Sequence, residues 1–270
     1  IIFIAVGTPF DSTNNQADLS SVFEVVDEIR KKMFFQKLLV LKSTVPVGTN
    51  RIITNILNEK NNNGVEVVSN PEFLREGSAL EDFMKPDRVI IGANSTGSKD
   101  LMREVYKPLY LGDFPIIFTD PESAEIIKYA SNAFLATKIT FINEIASLCE
   151  KAGGDIKEVA KGMGLDARIG SKFLHAGPGY GGSCLPKDTK ALAKIGDIFG
   201  APQKITETVI KVNNDIKLRM FDKIRKSAGE TLDEKIICIL GVTFKPETND
   251  MREAPSLTII PKIIEAGAIV

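Results

Sequence analysis

Residues 121–153 read PESAEIIKYASNAFLATKITFINEIASLCEKAG. Between the opening proline and the closing glycine there is no helix breaker. Apolar residues recur there at helical spacing with small residues interleaved. The pattern predicts one long helix, and that helix divides the chain. Before it, apolar runs alternate with helical patterns; after it, the patterns are all helical until Glu234.

Upstream, strands are expected at Ile1–Val6, Leu38–Leu41, Val65–Val68, Arg88–Gly92 and Ile116–Phe118, with helices near Leu19–Lys32, Thr49–Glu59 and Lys99–Leu109. Asp18 is a cap for the first helix. Strand and helix in alternation imply an α/β unit built on a parallel sheet. Ligands on such sheets bind at the carboxyl ends of the strands. Those ends carry Gly7-Thr8-Pro9, Ser43-Thr44-Val45-Pro46 and Ser69-Asn70-Pro71-Glu72. The third runs on into SNPEFLREGSALEDFMKPDR, where Glu72 and Glu76 stand four apart, the spacing of one helical face. Such a pair positions a water or a proton; a solvated charged loop is the competing reading.

Downstream, shorter helices are expected at Ile156–Met163, Lys187–Phe199 and Pro202–Ser227. At Glu234 the pattern changes to strand, polar loop and helix, the opening of a second α/β unit. This places Cys238 inside a strand, as a structural residue, and Lys245, Asp250 and Arg252 in a loop suited to phosphate or carboxylate. The expected domains are 1–120, 121–218 and 219–270. An all-helical middle with one long apolar-faced helix suggests a dimer.

Within that middle lies the densest signal, FLHAGPGYGGSCLPKD at 173–188. Glycines there let backbone approach a ligand closely. Cys184 follows them at the start of a helix, with Lys187 and Asp188 next. A thiol in that setting gains thiolate character and suits a nucleophile; a buried structural cysteine after a tight turn fits equally well. Gly177, Gly179 and Gly182 match the G-x-G-x-x-G spacing of a dinucleotide turn, with Asp197 downstream. The fingerprint requires an apolar strand directly before it, and ARIGSKFLHA is not one, so that reading is rejected. Lys128 and Asn132, one turn apart on the long helix, could bind a substrate oxygen or be ordinary surface.

The chain has 270 residues, 43% of them hydrophobic, and a formal net charge of −1. That balance argues against bulk attraction to nucleic acid or membranes. Cys149, Cys184 and Cys238 are too few and too scattered for a disulfide framework or a zinc site, so no metal is expected and a reducing cytoplasm fits. No apolar run reaches membrane-spanning length. The opening IIFIAV and closing AGAIV read as core strands, which suggests a piece of a longer chain.

Six segments, VGTPF, STVPVGT, SNPEFLREGSALEDF with KPDRVIIG, KYASNAFLATKITFINEIA, FLHAGPGYGGSCLPKD and LGVTFKPETNDMREAPS, stand in the order of the nucleotide-sugar 6-dehydrogenase family, which the chain resembles. LREGSALEDF and DMREAPS are closer to its UDP-glucose branch than to its GDP-mannose branch. Ser183, Lys187 and Asp188 argue against the UDP-N-acetylmannosamine branch. The resemblance implies a partial Rossmann-like NAD-binding domain, a central helical dimerisation domain and the start of a UDP-binding α/β domain. The Gly-rich turn and ribose-binding acid would lie in a preceding segment. It implies oxidation of a UDP-glucose C6 alcohol to a carboxylate with two NAD, through a thiohemiacetal and then a thioester on Cys184. Lys128 then resembles the oxyanion-stabilising lysine, Asn132 a substrate and oxyanion contact, Asp188 and Thr44 the holders of the catalytic water, and Glu72 an acid–base partner. Cofactor contacts carried over are Thr8, Thr44, Glu76, Lys187 and Arg252. Substrate contacts are Phe73, Leu74, Lys128, Asn132, Phe173, Gly181 and Lys245, with Arg168 reaching the substrate of a neighbouring subunit. His175, the only histidine, has no assigned role. A non-catalytic nucleotide-sugar binder or dimerisation module is the alternative from another class; a binder needs no thiol.

Overall fold

The run LLVL at 38–41 is buried at every position and forms the strand around which the first part of the chain is built. A strand covered on both faces has no polar side, which is why the run is continuous rather than alternating. The computed structural model describes residues 1–11, 13, 16–32, 38–59, 65–109 and 114–270. These divide into two compact units, 1–130 and 131–270.

The first unit contains strands β1 (Ile2–Ile4), β2 (Phe10–Asp11), β3 (Gln16–Ala17), β4 (Leu38–Leu41), β5 (Glu66–Ser69), β6 (Val89–Gly92) and β7 (Ile116–Thr119). Its helices are α1 (Ser20–Lys32), α2 (Thr49–Asn58), α3 (Ala79–Met84) and α4 (Thr96–Tyr106), and α5 (Pro121–Ala152) begins there. Asp18 caps α1 as expected, accepting the Ser20 N–H at 2.9 Å. The main sheet has the order β1-β4-β5-β6-β7, while β2 and β3 pair separately. Ile2 lies opposite Leu39, and Leu39 opposite Val67, both in parallel register.

Successive side chains of a strand point to opposite faces, and each face has its own core. Leu39, Leu41 and Val67 pack with Ile4, with Val22 and Val26 of α1, and with Ile53 and Leu57 of α2. Leu38, Val40 and Val68 pack with Val89, Ile91, Met102 and Tyr106. The first strand differs from expectation. It lies at the sheet edge, and Ile1 and Phe3 are exposed.

The sheet is parallel except at one seam. β5 and β6 meet antiparallel, through the single pair Ser69↔Gly92, while β6 and β7 are parallel to each other. The reason lies in the connection. A parallel return needs a crossover helix packed on the sheet, and α3, six residues long, buries none of its residues. Just past the seam, the Asn70 side chain donates to the Ile90 carbonyl at 2.7 Å.

The second unit holds the rest of α5, then α6 (Ile156–Gly164), α7 (Leu185–Ile198), α8 (Lys204–Ser227) and α9 (Ser256–Glu265). Ala136, Tyr180 and Val209 form one core, with Ile139 and Leu185 against it. Leu232, Ile259, Ile263 and Ala268 form another, beneath Met220, Phe221 and Ile224 of α8. The strand expected after Glu234 is not formed; one parallel bridge, Ile236↔Ile269, takes its place. A parallel strand buried on both faces needs neighbours along its length, and among the described residues this run reaches only Gly267 and Ile269 of the facing segment. Cys238 is therefore exposed, not a structural core residue.

Candidate active site

In the first unit the long helix delivers a buried ammonium. Lys128 is 3% exposed, and its Nζ donates to Glu72 Oε1 at 3.0 Å. An unpaired buried charge is costly, so the loop after β5 is folded around this one. Glu72 is fixed in turn by the Leu74 N–H. Phe73 lies between two cations, with the Arg88 guanidinium 3.8 Å and Lys128 Nζ 5.3 Å from its ring centroid. The ordinary-surface reading of Lys128 is thereby excluded.

The paired-carboxylate reading is corrected. Glu72 and Glu76 share no helical face, because the first helix of this loop, α3, starts at Ala79. Asn70 precedes a proline and is steered away from helical conformation, and Glu72 turns to Lys128. Near the ends of β1 and β4, Thr8 Oγ1 donates to the Thr44 carbonyl at 2.8 Å and Ser43 Oγ to the Val6 carbonyl at 2.7 Å. The two loops therefore lie side by side. A Cβ on Gly7 would meet nothing within 4 Å. This strand end is open and bordered by the Thr8 and Ser43 hydroxyls.

One buried group, Glu125, and one half-buried group, Lys42, escaped the sequence reading here. Glu125 accepts from the Gly48 N–H at 2.7 Å and the Asn50 N–H at 3.0 Å. The N-terminus of α2 is thus filled by the protein's own carboxylate. Burial pushes this carboxyl up to about 7, against the pull of those two N–H bonds. Lys42 Nζ donates to Tyr106 Oη at 3.1 Å and Asn70 Oδ1 at 3.3 Å. Burial lowers its ammonium to about 8, with Glu72 raising it and Lys128 lowering it further. A signal for Glu125 did exist. It stands three and seven positions before Lys128 and Asn132, on the stripe of α5 that is buried.

In the second unit Asn132 Nδ2 donates to Asp188 Oδ2 at 2.6 Å, and Lys187 Nζ to Asp188 Oδ1 at 2.7 Å. Asp188 is 1% exposed. Both carboxylate oxygens are therefore satisfied in a dry setting, where such bonds are strongest. Cys184, one turn earlier at the N-terminal end of α7, is exposed. Its Sγ lies 3.5 Å from Ser183 Oγ. The buried structural reading of Cys184 is excluded, whereas Cys149 is buried.

The loop before Cys184 is clamped from two sides. Asn213 of α8 accepts the Tyr180 N–H at 2.8 Å and donates to the Tyr180 carbonyl at 3.1 Å. The Gly182 N–H donates to the Arg252 carbonyl at 2.7 Å, and Lys217 Nζ donates to the next carbonyl, Glu253, at 3.1 Å. Gly181 is needed for close contact with the backbone of the 253–254 segment. A Cβ on Gly181 would come within 2.5 Å of the Glu253 carbonyl oxygen.

Phe173 takes a left-handed φ of 66°. Arg168 forks onto Asp166 at 3.0 and 2.6 Å. Arg252 grips Asp250 through two bonds of 2.9 Å. Lys245 Nζ lies 5.5 Å from the Phe244 ring centroid.

Family models match in the same order along the chain. The NAD binding domain of the UDP-glucose/GDP-mannose dehydrogenase family matches residues 1–110, its central domain 122–215 and its UDP binding domain 238–270. The chain belongs to this family. It is 51% identical to a UDP-glucose 6-dehydrogenase of Rhizobium meliloti, over 99% of this chain and 62% of that protein. It is 48% identical to UDP-glucose 6-dehydrogenase TuaD of Bacillus subtilis, over 99% of this chain and 58% of that one. Among solved structures, a UDP-glucose dehydrogenase from Pyrobaculum islandicum superposes with a TM-score of 0.90 at 41% identity, over 98% of this chain and 62% of that one. The chain thus spans about three fifths of the length of the relatives it matches. The Rossmann-like reading of the first unit agrees with the family's NAD binding domain.

Proposed function

We propose that the protein oxidises UDP-glucose to UDP-glucuronate, with NAD as the hydride acceptor. The observation that carries the proposal is an exposed thiol, Cys184, beside a carboxylate, Asp188, held dry by Asn132 and Lys187. A binding module has no use for that combination. The names of the relatives support the substrate.

The roles follow from each residue's surroundings. Cys184 attacks the C6 aldehyde and keeps that carbon bound, first as a thiohemiacetal and then as a thioester, so that no hydrated aldehyde escapes. NAD, when bound, supplies hydride acceptance for each of the two oxidations. Lys128, a buried ammonium, stabilises negative charge developing on oxygen, and Asn132 hydrogen-bonds the same region. The family resemblance gives Asp188, Thr44 and Glu72 to the hydrolytic step that releases the acid. Thr8, Glu76, Lys187 and Arg252 contact the cofactor. Phe73, Leu74, Phe173, Gly181, Arg168 and Lys245 contact the nucleotide sugar.

The same reading divides the chain into a NAD domain (1–120), a helical domain (121–218) and the start of a UDP domain (219–270). It makes the protein a cytoplasmic homodimer. Phe134, Phe141 and Leu148, seven apart on α5, are 65%, 47% and 61% exposed, the seam spacing of a helix that meets a partner. Among the described residues no helix is long and apolar enough to cross a membrane.

The test is the NADH formed per UDP-glucose consumed in the full-length protein. About two is expected for a four-electron oxidation. A ratio near one removes Cys184 from the chemistry, and no NADH with UDP-glucose but turnover with GDP-mannose moves the substrate. Cys184→Ala is expected to abolish carboxylate formation while UDP-sugar affinity stays within about twofold; near-normal turnover refutes the covalent route.

A further inference from the structure

Glu125 has no role in the chemistry above, yet it is the most heavily engaged buried carboxylate of the first unit. Besides the Gly48 and Asn50 N–H groups it accepts from Ser69 Oγ, at 3.3 Å. Asn50 Nδ2 closes the knot by donating to the same Ser69 oxygen at 3.1 Å. We propose that Glu125 is the positioning residue of the candidate site, tying together the segments that carry Thr44, Glu72 and Lys128.

Three features separate this from ordinary helix capping. The cap position of α2 is Gly48, at φ 91°, with no side chain to offer. A local Ser or Asp cap would have satisfied α2 more cheaply than a buried carboxylate from 75 to 77 residues away. Each tethered segment also leads directly to a candidate residue. Gly48 closes the loop that holds Thr44, Ser69 is three residues before Glu72, and Glu125 is one turn before Lys128. Finally, Thr44, Ser69, Pro71, Glu125 and Lys128 border one small cavity of about 10 Å³, the room of about one water.

The charged groups around Glu125 are few. Glu122, one turn earlier on α5, is paired with Arg51 of α2 at 3.5 Å, and Lys128, one turn later, is paired with Glu72. Lys42, near the end of β4, senses Glu72 and Lys128. β5 contributes the neutral Ser69. The native carboxyl ionises near 7, above its unfolded value, so it takes up a proton as the pH falls through that point. Protonation then weakens the grip on the Gly48 and Asn50 N–H groups.

The proposal rests on the function given above, but its first test does not. Amide resonances of the wild-type protein are followed by NMR from about pH 5.5 to about 8.5. Gly48 and Asn50 report the carboxylate directly, and Thr44, Glu72 and Lys128 are expected to move with them at one midpoint near 7. Titration of Gly48 and Asn50 with the other three unmoved overturns the proposal. The second test is Glu125→Gln in steady-state kinetics with UDP-glucose and NAD. The expected result is a kcat lower by about 10- to 100-fold with KM within about threefold, and loss of the acid limb near pH 7. A kcat within about twofold of wild type overturns it. If wild type oxidises no nucleotide sugar, the function fails, and the NMR titration alone still decides Glu125.

Discussion

Replacing Gly181 by alanine tests how the Cys184 loop is held. The added Cβ would lie 2.5 Å from the Glu253 carbonyl oxygen, 2.9 Å from its carbon and 3.0 Å from Ala254 Cα. All three are backbone atoms, so no side chain can swing away. Overpacking of this kind costs about 1–3 kcal/mol, and the upper end applies here. Separating the two segments also strains the adjacent bond from Gly182 N–H to the Arg252 carbonyl, worth about 1 kcal/mol. A total of about 4 kcal/mol lowers Tm by about 12 °C in a chain of this size. Differential scanning calorimetry reads this directly, and the loop supplies its own comparison. A Cβ on Gly177 would meet nothing within 4 Å, so Gly177→Ala is expected within about 0.5 kcal/mol of wild type. Gly182→Ala falls between the two, because its φ is +82° but its obstacle, 2.8 Å away, is the Phe244 ring. If Gly177→Ala is as damaging as Gly181→Ala, or Gly181→Ala costs under about 1 kcal/mol, the close approach is not what makes the loop glycine-rich.

Lys128→Ala is expected to lower kcat far more than it raises KM; an effect confined to KM reassigns Lys128 to ground-state recognition. Phe141→Glu places a charge in the apolar stripe of α5 and is expected to convert a dimer to monomer in light scattering, and an unchanged mass locates the interface elsewhere. Lys42 gives a pH signature. Its native value of about 8 lies below the usual 10.5, so the unfolded chain binds the extra proton between those limits. Wild type therefore gains about 3 kcal/mol relative to Lys42→Met as pH rises through that window. Parallel denaturant curves with no such divergence refute the depressed ammonium.

The alternation of strands and helices was legible because Leu38–Leu41 and Val89–Gly92 are buried on both faces and read as unbroken apolar runs. The long helix was legible from its lack of breakers. Cys184, Asp188, Lys128 and Asn132 stood out because polar residues at spaced positions in apolar or glycine-rich surroundings need a reason. What was not legible depends on distant partners. Glu72 and Glu76 at helical spacing ended in a non-helical loop because a lysine 56 residues away claimed Glu72. The reversal of β6 is decided by the failure of α3 to cover the sheet, which no local pattern encodes. The run after Glu234 has strand composition, but a strand also requires neighbours. Glu125 and Asn213 drew no reading from the sequence, and only their alignment with buried positions distinguishes them.

The seam between β5 and β6 has one more consequence. In an ordinary ladder, registry is held redundantly, and a faulty pair is outvoted by the others. Here one backbone pair, Ser69↔Gly92, is all that votes, and the deciding voice passes to a side chain. Asn70 addresses the Ile90 carbonyl with its amide nitrogen. It cannot turn over to offer the oxygen instead, because Lys42 and Tyr106 both donate to that oxygen. The β6–β7 half of the sheet thus takes its backbone registry from a single point, and it lies one residue from the proline that leads into Glu72.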